Sequence, residues 1–217
     1  MKNWKIIYYE TADGECPVDD FISSKSINNR AKILGLLSFL EEKGPNLPRP
    51  YADLLVDGIH ELRIKLSGDQ LRILYFFCYK DYIILTHPFI KRTEKVPISQ
   101  IEKAKKVRED FLKRFDEKKL LVFIMKTFKR QIKEELKDDK FAQLFNEERE
   151  LLSLSIKILE ERNKLGISQK DLAKKAHVTQ QQLSKVENGI NCNITTFLKV
   201  CGALGLKINF DNKRVRV

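Results

Sequence analysis

The spacing of apolar positions changes several times along the chain, and each change marks an element. In residues 59–66, Leu62, Ile64 and Leu66 alternate with Glu61, Arg63 and Lys65, the period of two expected of a strand with one face buried. Ser67, Gly68 and Asp69 supply a hairpin turn, and residues 71–79 and 82–89 continue as two further strands of an antiparallel meander. Upstream, residues 4–9 read as a strand, and residues 18–24 and 27–43 as helices. The second helix sets Ile33, Leu36, Leu37 and Leu40 on one face and is broken by the cluster Gly44, Pro45, Asn46, Leu47, Pro48. Pro97 starts a basic, amphipathic helix over residues 99–115. The order predicted for residues 1–115 is therefore βααβββα, an α+β domain on an antiparallel sheet.

Beyond residue 115 the period is helical. Residues 116–124, DEKKLLVFI, form a connector without glycine, serine or proline, and so a poor flexible linker. Residues 125–150 carry Phe128, Ile132, Leu136, Phe141, Leu144 and Phe145 on a charge-balanced helical segment, equally suited to being an extra helix of the domain that follows and to packing in a groove on a partner. Residues 151–165 place Leu152, Ile156, Leu159 and Arg162 at helical spacing before Gly166, and residues 194–204 read as another helix closed by Gly205. Residues 206–210 alternate apolar and polar, which predicts a short strand able to pair with a second copy, and hence a homodimer through residues 151–217.

The most specific pattern is SQKDLAKKAHVTQQQLSKVENG, residues 168–189. Ser168 caps a helix whose first turn holds Gln169, Lys170 and Asp171 and whose narrow apolar face is Leu172, Ala173 and Ala176. After His177 and Val178, Thr179 caps a second helix in which Leu183 and Val186 point inward while Gln180, Gln181, Ser184 and Lys185 point away, and Gly189 ends it. Amides and a lysine on the outer face of such a helix are what major-groove reading requires. The pattern resembles the XRE-type, lambda-repressor-like helix-turn-helix family, which implies an all-α DNA-binding domain over residues 151–217. By that resemblance Gln169 holds a phosphate, Thr179 opens the recognition helix, Gln180 and Gln181 reach base edges, and Ser184 and Lys185 support them.

Composition agrees with two modest domains. The chain has 217 residues, 42% hydrophobic and 33% charged, with a formal net charge of +11. Basic against acidic side chains number 20 to 16 in residues 1–115, nine to nine in 116–150, and 12 to five in 151–217, so the excess concentrates on the helix-turn-helix. No 18-residue apolar run and no secretory signal are present, which makes cytoplasm the expected compartment. Cys16, Cys78, Cys192 and Cys201 lack C-x-x-C spacing and, with three histidines, suggest no metal set.

In the first domain the cations are the candidate chemistry. Arg63 lies mid-strand, Arg72 opens the next strand, and His87, Lys91 and Arg92 cluster at the end of the fourth. On neighbouring antiparallel strands they can converge on an anionic centre, and with no carboxylate pair or metal set beside them they suit phosphoryl chemistry that needs no cofactor. The same cations can equally form a passive RNA- or partner-binding face.

Three blocks decide the expectation: GIHELRI at 58–64, LRILYF at 71–76 and HPFIKRTEKVP at 87–97. In order and spacing they resemble the phage-derived HigB branch of the RelE-like toxins over nearly all of residues 1–115. Pro88 stands where that family usually has glycine, and Arg92 replaces a frequent lysine. The resemblance implies a ribosome-dependent mRNA endoribonuclease acting by transesterification. In it Arg63 and Arg72 stabilise the phosphoryl charge, and Lys91, His87 or Tyr75 moves protons. It also implies an antitoxin partner of the XRE type.

Together the two resemblances predict a toxin-antitoxin pair in one chain, with Met125 standing where a separate antitoxin would begin. The segment 128–145, with Glu134, Glu135, Asp138 and Asp139, is expected to cover the basic site. Expected partners are mRNA and the ribosome, operator DNA, and a second copy, with no membrane. The contrasting expectation is a DNA-binding repressor whose toxin-like domain is inactive and serves as a structural or co-repressor module.

Overall fold

The computed structural model describes residues 4–122 and 127–209, and the chain divides into two compact units between Arg149 and Glu150. The first unit is built on a five-stranded sheet with strands β1 (Lys5–Tyr8), β2 (Ala52–Val56), β3 (Ile59–Lys65), β4 (Gln70–Cys78) and β5 (Tyr82–Ile90) in the order β1-β5-β4-β3-β2. Helices α1 (Pro17–Ser23), α2 (Ile27–Lys43), α3 (Ile98–Arg114), α4 (Glu117–Val122) and α5 (Phe128–Glu135) surround it.

Two features differ from the predicted βααβββα order. An extra strand, β2, pairs antiparallel with the outer side of β3, and β1 pairs parallel with β5, so the sheet is mixed. A parallel pairing needs a long crossover, and here the chain between β1 and β5 runs through α1, α2 and three other strands. β2 is a five-residue edge strand with Leu54 and Val56 exposed, too short and too unpatterned to stand out from the prolines before it.

Side chains alternate strictly across the β3–β4 ladder, and the two faces differ. Leu62, Ile64, Leu71 and Ile73 share one face with Ile6, Tyr8, Ile83 and Leu85. α2 lies against β3 and supplies buried Ile33, Leu34 and Leu37, while α1 lies against β5. On the other face Ile59, Leu74, Phe76, Tyr82 and Ile84 pack with Ala104 and Phe111 of α3, and Leu120 of α4 extends that core. The predicted connector is thus helical through Val122 and tied into the first unit, and its last residues lie outside those described. Gly44, with φ +55°, ends α2 where a Cβ would strike the Trp4 indole, so only glycine fits there.

The segment after residue 126 belongs partly to this unit. Thr127 bridges Ile7 at the β1 edge, Gln131 accepts a hydrogen bond from the Tyr8 hydroxyl at 2.6 Å, and Glu135 pairs with Arg30 of α2 at 2.9 Å. Phe128, Phe141 and Phe145 are buried. Instead of two separate helices divided near residue 150, a single 26-residue helix, α6, runs from Asp139 to Lys164. No glycine or proline interrupts that span. Met125 itself lies outside the described residues.

The second unit contains the end of α6, α7 (Gln169–Lys175), α8 (Gln180–Glu187) and α9 (Ile194–Ala203). Ile158, Leu172, Ala173, Leu183, Val186 and Val200 form its core. The strand predicted for residues 206–210 does not form over 206–209. The N–H of Leu206 caps α9 by bonding the carbonyl of Cys201 at 2.9 Å, with Gly205 at φ +73° beside it, and Phe210 lies outside the described residues. Among the described residues no helix is long and apolar enough to cross a membrane, and the four cysteines are free.

Candidate functional site

Strand register arranges the cations and their neighbours in rows on the α3 face of the sheet, beyond the N-terminus of that helix. Arg63 of β3 stands opposite Arg72 of β4, which stands opposite Phe89 of β5. The adjacent row runs Asp53, Glu61, Leu74 and His87 across β2 to β5. The sheet therefore brings Arg63 and Arg72 together, as expected, but it also supplies two carboxylates that the sequence reading had not placed there.

Those carboxylates organise the cluster. Glu61, 2% exposed, accepts from Arg63 Nε at 2.7 Å and faces Arg72 Nε at 3.0 Å. The Arg72 contact is an ion pair whose N–H is not aligned for a hydrogen bond. Arg72 also donates from Nη1 to the Leu71 carbonyl at 3.0 Å, and from Nη2 to Gln70 Oε1 at 3.3 Å. Burial pushes the Arg72 pKa down while Glu61 opposes that shift. Asp53 accepts from Arg63 Nη2 at 2.6 Å, and its other oxygen accepts from Arg49. An alternating chain results: Arg49, Asp53, Arg63, Glu61, Arg72. Among the described residues none bonds Arg63 Nη1, which leaves donors available to a ligand.

His87 has a different environment from the one expected of an exposed acid-base group. It is 2% exposed, its Nδ1 lies 3.1 Å from Thr86 Oγ1, and its Nε2 lies 3.0 Å from Oε1 of Gln100 in the first turn of α3. Burial, with the Lys103 charge, lowers its pKa to about 4, so the ring is neutral at pH 7. A β-bulge between Leu85 and His87 sets its direction, with the Thr86 hydroxyl donating to the Leu74 carbonyl at 2.9 Å. Pro88 is accommodated because the β1 pairing ends at Leu85, so its missing N–H leaves no gap in that ladder.

The remaining candidates scatter. Lys91 leaves the end of β5 and donates from Nζ to the Glu94 carbonyl at 2.5 Å, while Arg92 is exposed in the loop that follows. Tyr75 lies on the opposite face, stacked on His60, with burial raising its pKa far above that of a free phenol. It cannot serve the arginine row. The acids of residues 134–139 do not cover that row either. Glu135 is spent on Arg30, Glu134 on Lys137, and Asp138 caps the Phe141 N–H, all in the part of the unit packed on β1 and α2.

In the second unit, both caps form as expected. Ser168 Oγ accepts from the Asp171 N–H at 3.1 Å. Thr179 and Gln182 make a reciprocal capping box, with Thr179 Oγ1 accepting from Gln182 N–H at 3.1 Å and Gln182 Oε1 accepting from Thr179 N–H at 2.8 Å. Between the helices His177 takes a left-handed conformation, φ +52°, so that Val178 N–H reaches the Ala173 carbonyl at 3.0 Å. Gly189 plays the same part after α8, with Ile190 N–H bonding Lys185 at 2.9 Å. Gln180, Gln181 and Lys185 are exposed, and Ser184 is half-buried and accepts from Asn188. Buried Glu187 pairs with Arg162 of α6 and accepts from Gln169 Nε2 at 3.0 Å, while Gln180 donates to Gln169 Oε1 at 3.3 Å. Gln169 is thus held beside the first turn of α8.

Comparison with known families matches both halves. Residues 20–109 match the family model described as phage derived protein Gp49-like (DUF891), and residues 158–210 match a helix-turn-helix model. The chain thus joins a segment similar to Gp49-like phage-derived proteins to one similar to helix-turn-helix domains. A search of curated proteins returned no match. The Gp49-like match includes Arg63, Arg72, His87, Lys91 and Arg92, and the helix-turn-helix match includes Gln169, Thr179, Gln180, Gln181, Ser184 and Lys185. Sequence reading missed Asp53, Glu61, Arg49 and Gln100. Glu61 could have been found, since it is two residues before Arg63 on one strand and must share its face. Asp53 could not, because its strand carries no pattern.

Proposed function

We propose that the chain is a toxin-antitoxin module in one polypeptide, with the Gp49-like domain a ribosome-dependent mRNA endoribonuclease of the HigB kind and the second domain a HigA-like, operator-binding autorepressor. The observation that carries the reading is the union, in one chain, of a toxin-type domain bearing two arginines side by side and a DNA-binding helix-turn-helix. In the reaction an RNA 2′-hydroxyl gives its proton to water as its oxygen forms a bond to the adjacent phosphorus, and the P–O5′ bond breaks as the departing 5′-oxygen takes a proton from water, leaving a 2′,3′-cyclic phosphate and a 5′-hydroxyl. Arg63, through the guanidinium edge formed by its unbonded Nη1 and by the Nη2 that Asp53 holds, stabilises the charge growing on the phosphoryl oxygens, and Arg72 supports it through their shared carboxylate. Lys91 and Arg92 attract the RNA backbone. His87, neutral and held between Thr86 and Gln100, positions the β5–α3 corner.

Covalent connection replaces encounter with an effective concentration that can reach about millimolar, which keeps the nuclease silent in the whole chain. Two copies paired through the second domain would read two operator half-sites. Expression of residues 1–149 should arrest growth while the whole chain does not, and Arg63→Ala should abolish the arrest. A harmless 1–149 fragment would refute the nuclease reading.

One observation favours a second reading, in which the chain is a DNA-binding repressor with an inactive toxin-like module. Both arginines are already paired with carboxylates, and the histidine is buried. In that case operator binding is unchanged by Arg63→Ala and no fragment cleaves RNA.

A further inference from the structure

We infer that Asp53 occupies the place at Arg63 that a substrate phosphate takes, so that the edge strand β2 masks the site until phosphate displaces the carboxylate. This rests on the reading of Arg63 as a phosphate ligand. Of the two facing arginines only Arg63 reaches solvent appreciably, with 29% of its side chain exposed against 7% for Arg72. Its Nη2 is shared at 2.6 Å by Glu61 Oε1 and by Asp53 Oδ2. These two acids are not equivalent. Glu61 is buried in the middle of β3 and also holds Arg72, so it can leave only if the sheet moves. Asp53 has 15% of its side chain exposed and stands on the outermost strand, one residue from a register shift at Leu54.

A carboxylate and a phosphate each present a pair of oxygens to a guanidinium edge, so one can substitute for the other. The exchange also leaves no charge alone. Arg49, with 74% of its side chain exposed, holds Asp53 Oδ1 at 2.8 Å through Nε and at 2.7 Å through Nη2. When phosphate takes Arg63, Asp53 stays neutralised by Arg49. The pair Arg49 and Asp53 therefore sets how readily the site opens, and substitutions at the two positions act in opposite directions. Removing the Asp53 charge unmasks Arg63. Removing Arg49 leaves Asp53 with Arg63 as its one ion-pair partner among the described residues and tightens the mask.

The test is a titration of the purified full chain with inorganic phosphate, following the Arg63 Nε–H resonance by ¹H–¹⁵N NMR and assigning it through Arg63→Lys. Asp53→Asn should lower the phosphate concentration for half-saturation about fivefold, and Arg49→Ala should raise it by a similar factor. Because Arg49 is a surface side chain, its variant reports even if Asp53→Asn fails to fold. Equal titration of the Arg63 resonance in all proteins that fold would overturn the mask while leaving Arg63 as a phosphate ligand. A resonance that phosphate moves in none of them would overturn that reading as well.

Discussion

Arg63 and Arg72 face each other across β3 and β4, and the single buried carboxylate of Glu61 holds both. Two cations side by side on a sheet would repel. Glu61 converts that repulsion into a fixed spacing, at the cost of burying an ion pair whose geometry must stay intact.

Removing Glu61 should therefore harm the fold more than removing Arg63. Glu61→Ala strands Arg72, which is 6% exposed, and should lower the stability of the first unit by about 3 kcal/mol. Arg63→Ala deletes a half-exposed partner and should lower it by about 1 kcal/mol. Urea unfolding followed by the fluorescence of Trp4, the one tryptophan, reads both.

His87 makes a pH prediction of definite sign. In the unfolded chain it takes up a proton near pH 6.5, and in the folded protein only near 4, so the unfolded state binds more protons in that window. The contribution is constant above about pH 6.5, is lost as pH falls, and levels off below 4. The loss is on the order of 3 kcal/mol. His87→Gln, measured against the native chain at each pH, should remove this part of the pH dependence, and parallel curves would reject a buried neutral imidazole.

How far these relationships are visible in sequence depends on whether they are local. The period of two in β3 and the caps Ser168 and Thr179 are written within a few neighbouring residues, and the structure follows them. The parallel β1–β5 pairing and the edge strand β2 are set by register between distant segments, which no short pattern encodes. That is why the arginines were found and their carboxylate Asp53 was not. Tyr75 was misplaced for the converse reason: it is close to Arg72 in sequence, but odd spacing on a strand puts it on the other face. The acids at 134–139 matched the arginines in charge, yet β1 and α2 claimed their segment first.

Thr179 closes a reciprocal cap at the start of α8. Thr179→Ala should destabilise the second unit by about 1 kcal/mol and weaken operator binding through fraying of Gln180 and Gln181. Thermal unfolding of residues 150–217 checks the first effect and a gel-shift titration the second. Thr179→Ser should restore both.

On DNA the exposed side chains of α8 should separate by role. Gln180→Ala or Gln181→Ala should cost about 1 to 3 kcal/mol on the operator and relax base preference, with the salt slope unchanged. Lys185→Ala should weaken binding to operator and random DNA alike, and reduce the salt slope by about one. Binding isotherms at several salt concentrations distinguish these outcomes, and an operator response indifferent to all three would reject α8 as the reading helix.

The central claim is that the arginine row of the first domain cleaves RNA, and mapping RNA ends in cells tests it most directly. Residues 1–149 should generate mRNA fragments ending in 2′,3′-cyclic phosphate, Arg63→Ala should reduce them at least a hundredfold, and the whole chain should yield few. Intact mRNA in cells making folded 1–149, or cleavage that survives Arg63→Ala, would contradict the account.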